Sequence, residues 1–521
     1  MNAIDCLFIH PSLECKTKGM YYTIIPIGLL AMADLLEKNG FESRVLSISV
    51  EKEINPKFSI SKYIKKFNVK VAAIDLHWYF HSHNVIELAK EIKEKTGAII
   101  VLGGFTASFF NNEIINSFPF IDAIIRGDGE TPLLEFMKQL RKSGSLKNMK
   151  IPNLTWRYKK KIKHNPISYV ADKNNLSQLD YSNIGLLSHW QHYVGTAMKS
   201  LVLSFTDNKK PIKNIWYTSI GRGCNINCSY CGGSKSSHYK MSGRSSPCFR
   251  CFESVLNEIK LLYDKGITTF CFEFDPPTMS EKYYIKLFSG IRDESMDIST
   301  NFGSWSLPSN KFLDSFSKTF DLTRSCIAIS PESGSEKVRR INKGIYYTNN
   351  FLFKTLQKMG SRHIYNSLYF AVGLPGENMS DFRMTLNLFS LISSRFDTVM
   401  KVNAVPLEPC SPMSVNPRKY EIEIYRKSFA DYYSYVKEIA NSELNKHPMG
   451  YMTKHFTEPE IMKLKTQAFK KFYLNHRFIL DQIFKIRNLK GLRDGVNIFF
   501  DTLFDSAQNR ELFNQGEKNE I

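Results

Sequence analysis

Short segments of strand length alternate with helical patterns along the first 145 residues. Segments of strand length separated by amphipathic segments indicate strands that pair in parallel through right-handed crossovers. The pattern therefore predicts an α/β fold in which residues 1–145 form a doubly wound parallel sheet, a Rossmann-like domain. The predicted strands are Ile4 to Ile9, Arg44 to Ile48, Val71 to Leu76, Ala98 to Leu102 and Ala123 to Ile125.

The same alternation resumes in residues 213–410. Six consecutive strand-and-helix units predict a partial (β/α)6 barrel whose site lies at the carboxyl ends of its strands. The predicted strands are Ile215 to Ser219, Thr269 to Phe274, Asp297 to Phe302, Arg324 to Ser330, Tyr365 to Val372 and Val399 to Val405.

Two stretches lack this alternation. Residues 146–212 are polar and irregular and include a basic, hairpin-like piece from Trp156 to Ile167, so we interpret them as a linker between the two domains. Residues 411–521 carry apolar residues at helical spacing and predict a helical C-terminal region that closes the barrel and selects the substrate. The helices predicted there are Tyr420 to Leu444, Glu458 to Asn475 and Arg477 to Ile486.

Composition adds limits on partners and compartment. The net charge of +20 would suit nucleic acid, an anionic membrane or an acidic substrate. Because the lysines occur in short groups without a nucleic-acid motif, we interpret the charge as solvated surface and expect no nucleic-acid partner. Neither a secretory signal nor an apolar run of membrane-spanning length is present. The ten cysteines predict a reduced, cytoplasmic protein rather than a disulfide framework.

Three cysteines are concentrated in one short stretch. Cys224, Cys228 and Cys231 have the spacing C-x3-C-x2-C. Disulfides use cysteines in pairs and a closed zinc site needs four ligands, so three close thiols indicate an incomplete site. Thiolates on a tight loop suit a four-iron cluster, in which one iron would stay unligated. A zinc knuckle completed by a distant residue, or three incidental thiols, is the alternative.

This stretch resembles the signature of the radical S-adenosylmethionine (SAM) superfamily, which places an aromatic residue, here Tyr230, before the last cysteine. The resemblance implies that Cys224, Cys228 and Cys231 hold a [4Fe-4S] cluster whose open iron binds SAM. It also implies reductive cleavage of SAM to methionine and a 5′-deoxyadenosyl radical. An electron donor such as flavodoxin or ferredoxin is the expected protein partner.

Three later strand ends extend the resemblance. The sequence F-E-F-D ends the second barrel strand, where the family offers polar groups to the SAM amine, which implies a role for Glu273 or Asp275. The sequence S-P-E-S-G-S on the fourth strand resembles the family's I-E-S-G-S pattern and implies that Glu332 and Ser333 contact ribose or the methionine carboxylate. A G-L-P-G-E turn begins at Gly373 and implies backbone packing near adenine.

The N-terminal sheet resembles the cobalamin-binding domain that precedes the barrel in cobalamin-dependent radical SAM enzymes. The resemblance implies that loops with Gly103, Gly104, Gly127 and Gly129 let the backbone lie against the corrin and its nucleotide tail. The cobalamin motif D-x-H-x-x-G is absent after the first strand. We interpret His77, in a partial match after the third strand, as a satisfied polar group at a strand end. A sheet that has lost its ligand is the alternative.

These resemblances together imply a cobalamin-dependent radical SAM methyltransferase acting on an unactivated carbon or phosphorus centre. The substrate class stays open among small molecules, lipids and peptides, and no catalytic residue is assigned. A non-methylating rearrangement or cyclisation, with or without cobalamin, is one alternative, and a non-catalytic redox or cobalamin sensor is another. We interpret Cys248 and Cys251, a second C-x2-C pair, as free thiols rather than ligands of an auxiliary cluster.

Overall fold

Two parallel sheets, one in each half of the chain, organise the computed structural model of this protein. The structure describes residues 3–11, 24–196, 214–272, 281–396, 398–440 and 448–473.

The N-terminal sheet confirms the predicted doubly wound architecture. Its first five strands are parallel and lie in the order β2-β1-β3-β4-β5. Strand order reverses between β1 and β3, and the carboxyl ends of strands around such a point form the usual ligand crevice. The strands are β1 (Cys6–His10), β2 (Ser43–Ser47), β3 (Val71–Asp75), β4 (Ile99–Gly103) and β5 (Ala123–Ile125).

Helices cover both faces of this sheet. Every residue of β1 is buried, with Phe8 in the core on one face and Leu7 and Ile9 in the core on the other. Burial on both faces explains why the strands are continuous apolar runs. The helices are α1 (Ile27–Glu37), α2 (Ile48–Ile54), α3 (Ile60–Lys66), α4 (Ser82–Thr96), α5 (Phe105–Phe109), α6 (Asn111–Ser117) and α7 (Glu130–Ser143).

Part of the predicted linker belongs to this sheet. Strands β6 (Leu154–Tyr158) and β7 (Lys161–His164) form a hairpin that pairs antiparallel with β5. Trp156 is buried, and its indole N–H donates to the carbonyl of Leu146. The lysines of the turn and the edge strand gave this segment its polar pattern, which hid its sheet pairing. Two short helices follow, α8 (Lys173–Ser177) and α9 (Trp190–Thr196).

The second sheet confirms the partial barrel. Its six strands are parallel and neighbour one another in chain order, as repeated β/α units require. A short antiparallel pair, β9 and β10, lies between the first two of them. The strands are β8 (Ile215–Tyr217), β9 (Gly221–Arg222), β10 (Cys248–Phe249), β11 (Thr269–Phe272), β12 (Ser299–Ser304), β13 (Cys326–Glu332), β14 (Tyr365–Val372) and β15 (Val399–Ala404).

Several barrel helices begin at side-chain caps that the sequence supplies. Ser309, Ser335 and Thr348 each accept a hydrogen bond from a backbone N–H three residues later. The helices are α10 (Lys235–Ser242), α11 (Phe252–Asp264), α12 (Glu281–Asp293), α13 (Asn310–Thr319), α14 (Glu336–Lys343), α15 (Asn349–Gly360) and α16 (Met379–Arg395).

The C-terminal region is helical with one small sheet that the sequence did not predict. The helix predicted from Tyr420 begins instead at Phe429, because residues 422–424 pair antiparallel with residues 451–453. The predicted helix from Arg477 to Ile486 lies outside the described residues. The elements are α17 (Pro412–Val415), β16 (Ile422–Ile424), α18 (Phe429–Ala440), β17 (Tyr451–Thr453) and α19 (Glu458–Tyr473). No helix in the described part of the chain is long and apolar enough to cross a membrane.

Candidate active site

The three clustered cysteines lie on the loop between β9 and α10, beyond the carboxyl end of β8. Backbone N–H groups of Ile226 and Gly233 donate to the sulfurs of Cys224 and Cys231, both at 3.3 Å. The thiol of Cys228 donates to the carbonyl of Lys343 at 2.9 Å. The loop therefore brings three partly buried sulfur ligands to one place, and two of them receive N–H donors that favour a thiolate.

The chemistry of these donors fits an iron-sulfur cluster. Burial raises the pKa of Cys228 to about 11 and also raises the pKa of Cys231, so ligation must displace their protons. Three thiolates with N–H donors to sulfur are the ligand set of a four-iron cluster with one open iron. Among the described residues, no three His, Cys, Asp or Glu side chains are grouped to hold a single metal ion.

A buried ion pair lies directly beneath the cysteine loop. Glu332 ends β13 with a φ of 63°, at a shift in the register between β13 and β14. Its carboxylate accepts a hydrogen bond from Lys343 Nζ at 3.0 Å, and the Tyr230 hydroxyl also donates to it. Burial raises the pKa of Tyr230, and the neighbouring Glu332 raises it further. Glu332 therefore lies next to the cluster loop, with Lys343 as its counter-charge.

Ser333 contacts the helices that surround the barrel strands instead. Its side chain is fully buried, bonds to Thr385 and accepts from the backbone N–H of Ser335. These contacts connect the end of β13 to the first turn of α14 and to α16. A direct contact of Ser333 with SAM stays a prediction, whereas its role in shaping the turn is visible in the structure.

Gly373 is in tight contact with the C-terminal region. Its φ is 72°, and a Cβ built there would lie 2.4 Å from Ile461 Cγ2 on α19. The Gly373 N–H donates to the Glu377 carboxylate at 2.6 Å, and the Tyr451 hydroxyl donates to the Gly373 carbonyl at 3.2 Å. The G-L-P-G-E turn is thus fixed by its own glutamate and packed against α19. Packing near adenine stays a prediction.

The two acidic residues predicted to meet the SAM amine, Glu273 and Asp275, lie outside the described residues. Their role stays a prediction.

Glu408 is a residue of the site that the sequence reasoning missed. It lies in the loop after β15 and accepts a hydrogen bond from the Gly232 N–H at 2.8 Å, directly after the last cysteine. Burial raises the pKa of Glu408, and its charge acts on Tyr79 of the N-terminal domain and Tyr432 of α18. The only sequence signal was an acidic residue between two prolines. Glu408 marks the place where the three regions meet.

A cavity of about 390 Å³ opens at the carboxyl ends of β1, β3, β4 and β5. All four predicted loop glycines line it, namely Gly103, Gly104, Gly127 and Gly129. Only glycine fits at position 104, because the φ of Gly104 is 103° and a Cβ there would lie 2.6 Å from the His77 backbone. No described atom lies within 4 Å of a Cβ built at Gly103, so this part of the loop leaves space beside its backbone.

Histidines gather at the same strand ends. His10 Nδ1 lies 3.1 Å from the Asp75 carboxylate, and the His77 ring stacks on Phe105 at a centroid distance of 4.6 Å. Burial lowers the pKa of His77 and lowers the pKa of His81 to about 3. Both rings are therefore neutral near pH 7. His77 lines the cavity, and its interpretation as a satisfied polar group stays a prediction.

An ion-pair network joins the cavity to the cysteine loop. Arg222 contacts Asp128 at 2.9 Å and Glu130 at 2.5 Å, and Arg244 contacts the other oxygen of Asp128 at 2.5 Å. Burial alone would raise the pKa of Asp128, but the two guanidinium groups hold it below its ordinary value. Arg222 also lines the cavity and stands two residues before Cys224.

The cavity fits the predicted cobalamin. Its walls are largely apolar, as the nucleotide tail requires, and open glycine backbone lies beside them. Glu130 Oε2 is buried at the cavity and has no hydrogen-bond partner among the described residues. An unpaired buried acceptor is unfavourable, and the amide side chains at the edge of a corrin are N–H donors that would satisfy it.

Comparison with known families agrees with both halves of this site. The model of the radical SAM superfamily matches residues 218–389, and the model of the B12 binding domain matches residues 19–137. The chain is a radical SAM enzyme with a B12-binding domain. The first match includes all three clustered cysteines, and the second includes all four cavity glycines.

Two curated relatives are methyltransferases by name. The chain is 24% identical over 502 residues to an uncharacterised methyltransferase of Pyrococcus horikoshii, covering 93% of this chain and 96% of the relative. It is 24% identical over 407 residues to cytidylyl-2-hydroxyethylphosphonate methyltransferase of Streptomyces wedmorensis, covering 71% of this chain and 72% of that enzyme.

Solved structures show the same fold. The radical SAM methyltransferase TsrM of Kitasatospora setae, solved with tryptophan substrate and a SAM analogue, has a TM-score of 0.64 at 16% identity and covers 90% of this chain and 88% of its own. A second TsrM structure, with cobalamin and a [4Fe-4S] cluster bound, has a TM-score of 0.64 at 15% identity and covers 91% and 89%.

Proposed function

We propose that this enzyme uses cobalamin and a [4Fe-4S] cluster to transfer a methyl group from SAM to an unactivated carbon or phosphorus centre of a small molecule. The observation that carries the proposal is Arg222. It lines the cofactor cavity of the B12-binding domain and stands two residues before the first cluster cysteine. The two cofactor sites are therefore parts of one connected structure.

In this proposal, residues of the chain bind the cluster and position the loop that carries it. Cys224, Cys228 and Cys231 hold the cluster and leave one iron open for SAM. When bound, the cluster supplies the electron for SAM cleavage and cobalamin carries the methyl group. Glu332, hydrogen-bonded to Lys343 Nζ, offers its carboxyl group next to the cluster loop. Glu408 contacts the same loop by accepting a hydrogen bond from the Gly232 N–H.

The names of the two relatives support the methyl-transfer part of this proposal, because both are methyltransferases. A lipid or peptide substrate is the alternative to a small molecule. We further propose that an external carrier such as flavodoxin or ferredoxin delivers the electron, and that the enzyme works in the reducing cytoplasm, where a cluster with an open iron survives.

The products of SAM test the proposal. The anaerobically reconstituted enzyme, loaded with cobalamin and reduced with dithionite, should convert SAM to S-adenosylhomocysteine as well as 5′-deoxyadenosine. Radiolabel in the SAM methyl group should appear on bound cobalamin. The alternative, a non-methylating rearrangement or cyclisation, predicts 5′-deoxyadenosine without S-adenosylhomocysteine. That result would overturn methyl transfer and leave the radical chemistry intact.

A further inference from the structure

An exposed surface lies beside the cluster loop. It is formed where the start of α10, the end of α14 and the segment after β15 meet around the loop. We call it the basic surface. Its members are all exposed: Asn227, Lys235, Ser236, Lys240, Arg340, Ile341, Gly344, Val415 and Lys419.

The members of the basic surface are contiguous. The backbone of Gly344 lies against Asn227, since a Cβ built at Gly344 would be 2.9 Å from the Asn227 nitrogen. The Asn227 side chain accepts from the Ser236 N–H at 3.0 Å. A shallow cavity of about 200 Å³ joins Asn227 to Lys240, Lys419 and their neighbours. The three segments therefore present one surface to a partner.

The cluster ligands lie just beneath this surface. Cys228 Sγ is 2.9 Å from the carbonyl of Lys343, the residue before Gly344. Cys224 Sγ is 3.3 Å from the N–H of Ile226, the residue before Asn227. A single residue of backbone thus separates two of the three sulfur ligands from the surface, so an electron arriving there has a short path to the cluster.

The charge of the basic surface selects its partner. Its charged members are all cations, namely Lys235, Lys240, Arg340 and Lys419. The carboxylate that follows it along the chain, Glu421, is paired with Lys454 at 2.7 Å. Complementary charge steers protein association and raises the association rate.

Apolar side chains are also exposed on this surface. Ile341 is 43% exposed and Val415 is 46% exposed. Apolar side chains surrounded by charge are typical of the centre and rim of a transient interface.

We propose that the basic surface docks an acidic one-electron carrier protein of the flavodoxin or ferredoxin class. The inference rests on the proposed function, because it assumes that the three cysteines hold the redox cluster. In the docked complex a flavodoxin hydroquinone is oxidised to the semiquinone, and the oxidised [4Fe-4S] cluster gains that one electron. None of the residues of the basic surface lines the cobalamin cavity.

Charge reversal at two positions tests this assignment. R340E/K419E reverses two cations of the surface, and K62E/K65E makes the same change in net charge on exposed residues of α3. The first measurement is the rate at which reduced flavodoxin or reduced ferredoxin reduces the cluster, followed by absorbance. The second is the affinity for the oxidised carriers, measured by biolayer interferometry. Dithionite reduction controls for an intact cluster.

We expect R340E/K419E to lower both the affinity and the reduction rate by roughly tenfold at low salt, with the difference shrinking at high salt. K62E/K65E should match the wild type, and all three proteins should be reduced equally by dithionite. Equal rates and affinities in both variants would overturn the docking site, as would a wild type that dithionite reduces and neither carrier reduces. A wild type without a reducible cluster would instead overturn the proposed function.

Discussion

The carboxyl group of Glu377 is fully buried. It accepts hydrogen bonds from the backbone N–H groups of Gly373 and Leu374, which holds the turn after β14 in place. Burial raises its pKa from 4.5 to about 8. Between these pH values the folded chain keeps a proton that the unfolded chain releases, so the free energy of unfolding falls as pH rises through this window. We expect E377Q, which stays neutral, to lose less thermal stability than the wild type from pH 5 to pH 8. Equal slopes of melting temperature against pH would contradict this account.

Gly373 offers a second test at single-residue scale, with a matched control in the same chain. Gly97 has nearly the same φ, 73° against 72°, but a Cβ at Gly97 has no neighbour within 4 Å among the described residues. G97A should destabilise the protein by about 1 kcal/mol, from backbone strain alone. G373A should destabilise it by about 2 kcal/mol more, because Ile461 must move. Equal losses in chemical denaturation would show that α19 does not press on this turn.

Sequence reasoning reached some of these residues and not others for a physical reason. Cys224, Cys228 and Cys231 were identifiable because ligands on one tight loop have a fixed local spacing. Glu408 was not, because its role depends on a contact with Gly232, which lies 176 positions earlier in the chain. Ser333 matched a motif, yet its hydroxyl bonds to Thr385 of α16, since a motif gives residue types and not the direction of a side chain.

At the scale of elements, the loop before α7 is fixed to β9 by the Asp128 ion pairs. Removing one partner of a buried charge network leaves the other charges uncompensated. The loss of folding stability is typically about 3 kcal/mol. D128N should therefore destabilise the protein by about that amount and weaken cobalamin retention, because Arg222 lines the cavity. Denaturation curves and bound cobalt after gel filtration measure the two effects.

An exposed ion pair supplies the control for this prediction. Glu421 and Lys454 are paired at 2.7 Å with both side chains 58% exposed. E421Q should leave the denaturation curve close to that of the wild type, because solvent screens such pairs. If D128N destabilised the protein no more than E421Q does, the Asp128 ion pairs would not hold the two domains together.

Regular elements followed from the sequence where a periodic pattern continued long enough. The five parallel strands of the first sheet and all six barrel strands were predicted, because strands buried on both faces are continuous apolar runs. The hairpin of β6 and β7 was predicted only as a hairpin-like piece of a linker, and the pairing of β16 with β17 was not predicted. Their strands are only three to five residues long, and the second pair is closed by a helix, so no local alternation identifies them.

In the whole molecule, only one of the two C-x2-C pairs, Cys228 and Cys231, belongs to the proposed cluster site. Replacing Cys224, Cys228 and Cys231 together with Ala should abolish bound iron and SAM cleavage. C248A/C251A should keep both, because these cysteines lie on β10 and directly before α11, outside the loop that carries the three cluster cysteines. Iron analysis after anaerobic reconstitution distinguishes the two variants, and iron loss in C248A/C251A would show that a ligand had been misassigned.

The central claim is that one chain holds both an iron-sulfur cluster and cobalamin at adjoining sites. The most direct test is anaerobic purification of the chain with cobalamin supplied, followed by an absorbance spectrum and iron and cobalt analysis of the same sample. We expect a four-iron cluster and one cobalt per chain. Iron without cobalt, despite the supply, would contradict it and would make the N-terminal domain a scaffold for radical chemistry alone.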